Sequence, residues 1–188
     1  NRKPLENSRL SELVDVANYA AEQAEDFYQG LALALEAILI SPDFIFIVDQ
    51  REPDPDRPGF DRLDNFSLAS RLSFFLWNAP PDDALLTAAE SGDLYDDETL
   101  LRETNRMLAS SRLESGMRAF FDDMLGFDEF NSLAKDPYVY PMVTGSTLRD
   151  AREQTLRTIV DHLIVGDSDY RELFTTRKTF MSPALGVV

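Results

Sequence analysis

Residues 64–86, DNFSLASRLSFFLWNAPPDDALL, constrain the fold of this chain more than any other stretch. Asp64 or Asn65 can accept hydrogen bonds from the first free amides of a helix. Leu68, Leu72, Phe75 and Leu76 then recur on one face at helical spacing. Phe66, Phe74 and Trp77 lie off that stripe, so the helix is apolar on more than one side, the pattern of a central, buried helix. Pro80 and Pro81 end it, and Asp82 or Asp83 can cap the next one. The pattern specifies architecture and carries no chemistry.

Helical periodicity runs through most of the rest. Leu10, Leu13, Val14, Ala17 and Ala21 form a first stripe behind a cap at Asn7 or Ser8. Leu31, Leu35, Ile38 and Leu39 form a second, ending at Ser41-Pro42. The two predict a helical hairpin bent near Asp26. FIFIV, residues 44–48, reads as a helical turn or an extended packing segment, since a lone strand would lack a partner. Residues 49–63, rich in Pro and charge, read as an exposed linker. Beyond it, helices are expected at 82–90, 96–109 and 113–125, with a long one capped by Ser146 or Thr147 and closed by Gly166. A short helix over 170–174 follows. The fold class is therefore all-α, about seven helices packed ridge into groove. An N-terminal hairpin (1–48) is expected to dock, through the 49–63 linker, on a larger helical bundle (64–188).

Composition narrows the function. The chain of 188 residues is 44% hydrophobic, enough for a core. Its net charge of −16 argues against nucleic acid as a partner. That charge serves solubility, or steers a basic protein such as a small electron carrier. No apolar run reaches the ~20 residues of a membrane span. Cysteine is absent, which excludes disulfides, thiolate catalysis, Cys-ligated metal and covalent c-type haem within these residues. A start without Met and a stop at SPALGVV read as a fragment of a longer chain.

Three side chains stand out as structural or partner-contact candidates. Arg71 sits at the margin of the apolar stripe of residues 64–77. It suits an anion site or a redox-partner contact, or else an internal salt bridge tying two helices together. Trp77, the sole tryptophan, either lines a ligand pocket or plugs a helix junction through a local indole hydrogen bond. His162, the sole histidine, is a conceivable base or metal ligand. It lacks the companions a metal site needs, and a boundary histidine explains it as well. The doublets Asp82-Asp83, Asp96-Asp97, Asp122-Asp123 and Asp128-Glu129 point in divergent directions on helices and read as caps or solvated faces. The Asp-rich linker lacks a calcium-loop pattern. No Gly-rich phosphate loop and no G-x-S-x-G setting occurs. No cofactor or metal site is expected in these residues, and the sequence names no catalytic residues.

ASRLSFFLW, followed by PPDDALL, the Gly92–Leu94 triplet and ETLLRETNRML, resembles the planctomycete-type, cytochrome-c-associated domains of unknown function. RKPL (residues 2–5) and FYQGLALALEAILISPDFIF (27–46) resemble the short helical domain that precedes the larger one. LRDAREQTL and DYRELFTTRKTFM resemble its closing segments. The resemblance implies a parent protein that carries c-type haem elsewhere in its chain and is exported, to the periplasm or beyond. On that basis the expected role is a non-catalytic scaffold or partner-docking module. Its partners would be the parent's remaining domains, a basic electron-transfer protein or other assembly subunits. The rival expectations are part of an exported oxidoreductase whose active site is completed by other regions, and a structural subunit of a multi-protein assembly.

Overall fold

Asp26 breaks the first apolar stripe from the second because its backbone is extended and its carboxylate accepts from the Tyr28 amide at 2.8 Å. Glu25 before it turns left-handed, with φ at 52°. In a computed structural model, which describes residues 4–186, this corner joins α1 (Asn7–Ala24) to α2 (Phe27–Leu39). Of the RKPL match, Arg2 and Lys3 lie outside the described residues, as do Val187 and Val188 of the tail. The hairpin closes tightly at Gly30, where a Cβ would stand 2.3 Å from the Ala17 carbonyl oxygen. The expected cap at Asn7 or Ser8 is not made: the N-cap position is Glu6, and its side chain does not cap. FIFIV begins in the short helix α3 (Pro42–Ile45) and then extends.

Residues 49–63 depart from the expected plain linker. Arg51–Pro53 (β1) and Asp61–Leu63 (β2) pair antiparallel, with Glu52 opposite Arg62. Asp54 closes the connection between them. Its carboxylate accepts from the Asp56 amide and from Arg57 Nε, and it is buried.

Helix α4 (Asn65–Trp77) starts as expected, with Asp64 Oδ1 accepting from the Ser67 amide at 2.7 Å. Its buried face is not the leucine stripe. Ser67, Ala69, Ser70, Ser73, Leu76 and Trp77 are buried, Leu68 and Leu72 are half-buried, and Phe75 is 75% exposed. Small side chains suit a closely packed face, and the hydroxyls of Ser67 and Ser73 are paired. Gln50 N–H donates to Ser67 Oγ, and Ser73 Oγ donates to the Ala79 carbonyl.

Asp82 caps α5 (Asp83–Glu90), Asp96 caps α6 (Asp97–Leu108), and α7 spans Leu113–Met124. α8 (Gly145–Val160) is capped by Thr144, two positions before the expected Ser146. Thr147 contributes differently from expectation: it returns a hydroxyl to the Thr144 amide, the reciprocal arm of a capping box. A π-helical turn, Asp161–Val165, continues α8 to Gly166, and Tyr170–Phe174 forms a 3₁₀ turn.

The chain divides into two compact units. The first holds residues up to 74 together with 79–106, and its buried apolar residues include Ala69, Leu85, Ala89 and Leu94. The second holds 75–78 with the chain from 107 onward. Phe121, Phe127, Leu156 and Ile159 form its core cluster, with Met117, Phe130, Leu163 and Leu173 packed against it. Gly116 of α7 lets that helix abut the last turn of α4, since a Cβ there would stand 2.0 Å from the Leu76 carbonyl oxygen.

Candidate functional site

The hairpin α1–α2 buries only Leu13 and Gly30 fully, and its half-buried positions are mostly alanine. A seam of small residues brings two helix backbones close but covers little apolar surface. The large side chains of α2 are consequently left outside it. Phe27 is 71% exposed, Tyr28 75%, Leu35 52% and Ile40 66%. Leu31, Leu39, Ile45, Ile47 and Val48 are exposed as well. Scattered exposed leucines are ordinary, whereas so many large apolar side chains exposed within one short segment are not.

The charge around this surface is one-sided. Between Arg9 and Arg51 the sequence holds eight carboxylates (Glu12, Asp15, Glu22, Glu25, Asp26, Glu36, Asp43 and Asp49) and no cation. No helix among the described residues is long and apolar enough to cross a membrane.

Arg71 is not buried in α4. Its side chain is 59% exposed, and its guanidinium forks onto the Asp49 carboxylate just past the hairpin, with Nε at 3.0 Å from Oδ2 and the Nη2–Oδ2 bond shorter still. The pair ties α4 to an extended segment, where the expected internal bridge would have tied two helices. The Arg71 hydrogen bonds hold the Asp49 carboxyl below its usual range. Trp77 is buried, and its indole N–H donates to the Met107 carbonyl at 3.0 Å while Arg112 stands over the ring. His162 is half-buried in the π-helical turn, with Nε2 3.0 Å from the Asp169 carbonyl oxygen. Arg71 belongs to the first compact unit, whereas Trp77 and His162 belong to the second. Among the described residues no grouping of three or more His, Asp or Glu side chains could hold a metal ion.

Among the acidic doublets Asp82 and Asp96 cap helices, as expected, while Asp82 and Asp122 are also ion-paired, which was not. Asp82 receives Arg106 through two bonds of 2.7 and 3.0 Å, and Arg106 also reaches the buried Glu103. Asp122 receives Arg152 Nε at 2.5 Å. Sequence reasoning missed the knot of Glu52, Arg62 and Tyr95. Arg62 donates twice to Glu52 Oε1, the Tyr95 hydroxyl lies 3.0 Å from the same oxygen, and the guanidinium stacks 3.4 Å from the Tyr95 ring centre. The Arg62 bonds first, then the Tyr95 hydroxyl, hold the Glu52 carboxyl low; burial, then Glu52, pushes the Tyr95 phenol up. These groups are fully engaged with one another and hold structure in place.

The geometry describes a mostly α-helical module with an acidic helical hairpin that exposes large apolar side chains, and among the described residues no three or more His, Asp or Glu side chains group as metal ligands. Residues 63–188 match PSD4, described as a protein of unknown function (DUF1592), and residues 2–49 match PSD5, described likewise (DUF1595). The larger match spans well over half of the chain, which thus belongs to the DUF1592 family and carries a DUF1595 segment ahead of it. The first match ends at residue 49 and the second begins at residue 63, with most of the β1–β2 segment between them. No curated protein and no solved structure matches the chain.

Proposed function

We propose that this chain is a non-catalytic docking module of a larger exported protein, periplasmic or extracellular, whose other segments carry c-type haem. The exposed apolar face of α2 seats a protein partner whose own contact surface is apolar at its centre and basic at its rim. One observation carries this reading: large apolar side chains exposed along α2, in a sequence stretch of eight carboxylates that holds no cation. Apolar burial supplies affinity at such a surface, and complementary charge supplies orientation and on-rate. A small basic electron carrier has the required chemistry.

The test titrates the full chain with a small basic c-type cytochrome and, separately, with a small acidic one. Binding of the basic protein alone is expected, weakening as salt rises. Leu35→Ser, on the exposed face, should weaken it ~10-fold, about 1.4 kcal/mol. Equal binding of both cytochromes, or full-strength binding by the Leu35 variant, would overturn the reading. A reduced-minus-oxidised spectrum of the intact parent, taken from its native source, checks the haem context: a sharp c-type band is expected, and its absence removes that context.

A further inference from the structure

Between the 3₁₀ turn Phe127–Asn131, with the segment after it, and the first turns of α8 in the second unit lies a cavity of about 510 Å³ that has no part in the docking surface. Phe127, Phe130 and Leu148 give it an apolar wall, and Lys135, Arg149 and Arg152 bring three cations to it. In a chain whose carboxylates outnumber its cations 34 to 18, that clustering runs against composition. Two of the three have no carboxylate partner among the described residues. Lys135 Nζ stands 5.6 Å from the Tyr140 ring centre, and Arg149 folds back so that Nη1 lies 3.8 Å from where a Gly145 Cβ would be. Arg152 is engaged by Asp122, and Asp128 also lines the cavity. Three cations set against those two carboxylates leave a net charge of one positive. The first turn of α8 is already served by its Thr144 cap, so the cations, and not the helix start, define the site.

We propose that this cavity binds a small organic monocarboxylate with an apolar body. The Arg149 guanidinium takes the carboxylate through its planar fork, Lys135 adds a point charge, and the aromatic wall takes the body. A single negative charge matches the net charge of the lining, whereas a dianionic phosphate would exceed it and leave the apolar wall wet. Like-charged groups held together without a counterion repel, and the ligand relieves that repulsion.

The experiment titrates the full chain, by calorimetry or NMR, with phenylacetate, with its neutral near-isostere phenylacetamide and with inorganic phosphate. Phenylacetate should saturate one site, and both controls should bind ~10-fold more weakly or worse. Arg149→Ala should cost about the same factor, and Arg149→Lys should recover part of it. Arg149 is exposed, so both variants should keep the parent's circular dichroism. The comparison of the acid with its amide needs no variant and decides the matter even if one misfolds. Equal binding of phenylacetamide or phosphate, unchanged binding by Arg149→Ala, or no saturable binding of phenylacetate at millimolar concentration would each overturn the proposal.

Discussion

Gly116 and Trp77 show how single positions join distant parts of the second unit. The indole N–H of Trp77 spans 30 residues of sequence to the Met107 carbonyl, and Gly116 clears the space beside the Leu76 backbone. Gly116→Ala gains up to ~1 kcal/mol in helix propensity but drives a methyl group into that carbonyl. Backbone oxygen cannot move aside as a flexible side chain can, so overpacking should dominate at ~1–3 kcal/mol. We expect a melting midpoint several degrees lower, followed by the fluorescence of Trp77, the sole tryptophan. An unchanged or raised midpoint would contradict the close approach. Sequence marks Trp77 as a junction residue because of its size and the Pro80-Pro81 stop that follows. It does not mark Gly116, one of eight scattered glycines, because the group that needs the space is a backbone atom 40 positions away. Arg71 was visible for the same reason as Trp77, an anomaly on an apolar helix. Its partner Asp49 was hidden, since 22 residues and a β-hairpin separate the two.

At the scale of elements, the helices were legible and their faces less so. Caps at Asp26, Asp64, Asp82 and Asp96 follow from local chemistry that needs no tertiary partner. The face of α4 is settled by what packs on it, and there serine and alanine displaced the leucine stripe. The β1–β2 hairpin left no periodic trace, because three-residue strands are too short to show alternation. Its order comes from outside, through Tyr95, whose hydroxyl lies within reach of Glu52 and 2.9 Å from the Leu63 carbonyl. Tyr95→Phe keeps the ring under Arg62 and removes only that hydroxyl. The expected cost is about 1 kcal/mol. The change should be local, with faster hydrogen exchange at the Asp54 and Asp64 amides, which close the hairpin at its two ends. Exchange equal to the parent's at both amides would show that the strands hold without Tyr95.

On the scale of the whole molecule, a net charge of −16 sets two electrostatic effects against each other. Excess negative charge repels itself across the surface, and protonating carboxylates as pH falls from 7 relieves that strain. Opposing this, arginine hydrogen bonds hold Asp49, Glu52, Asp54, Asp122 and Asp169 below their ordinary values, and the Thr99 amide does the same for Asp96. A carboxylate depressed in the folded state contributes stability that is complete above its unfolded value near pH 4 and is lost as pH falls through the folded value. Asp54 is buried and Asp49, Glu52 and Asp122 are half-buried, but their arginine partners are mostly solvent-accessible, so each contribution is small and acts through their number. The melting midpoint at low salt should therefore rise, or hold level, from pH 7 to about 5, where general repulsion eases while the pairs stay intact. It should fall below about pH 4, as the pairs are protonated. High salt should raise the midpoint at pH 7 by screening the repulsion and should flatten the rise towards pH 5. A midpoint that declines steadily from pH 7, with salt destabilising at neutrality, would mean that ion pairing outweighs net repulsion. The excess negative charge would then be no net cost to folding, and the docking reading, in which a basic partner complements that excess, would lose its physical ground.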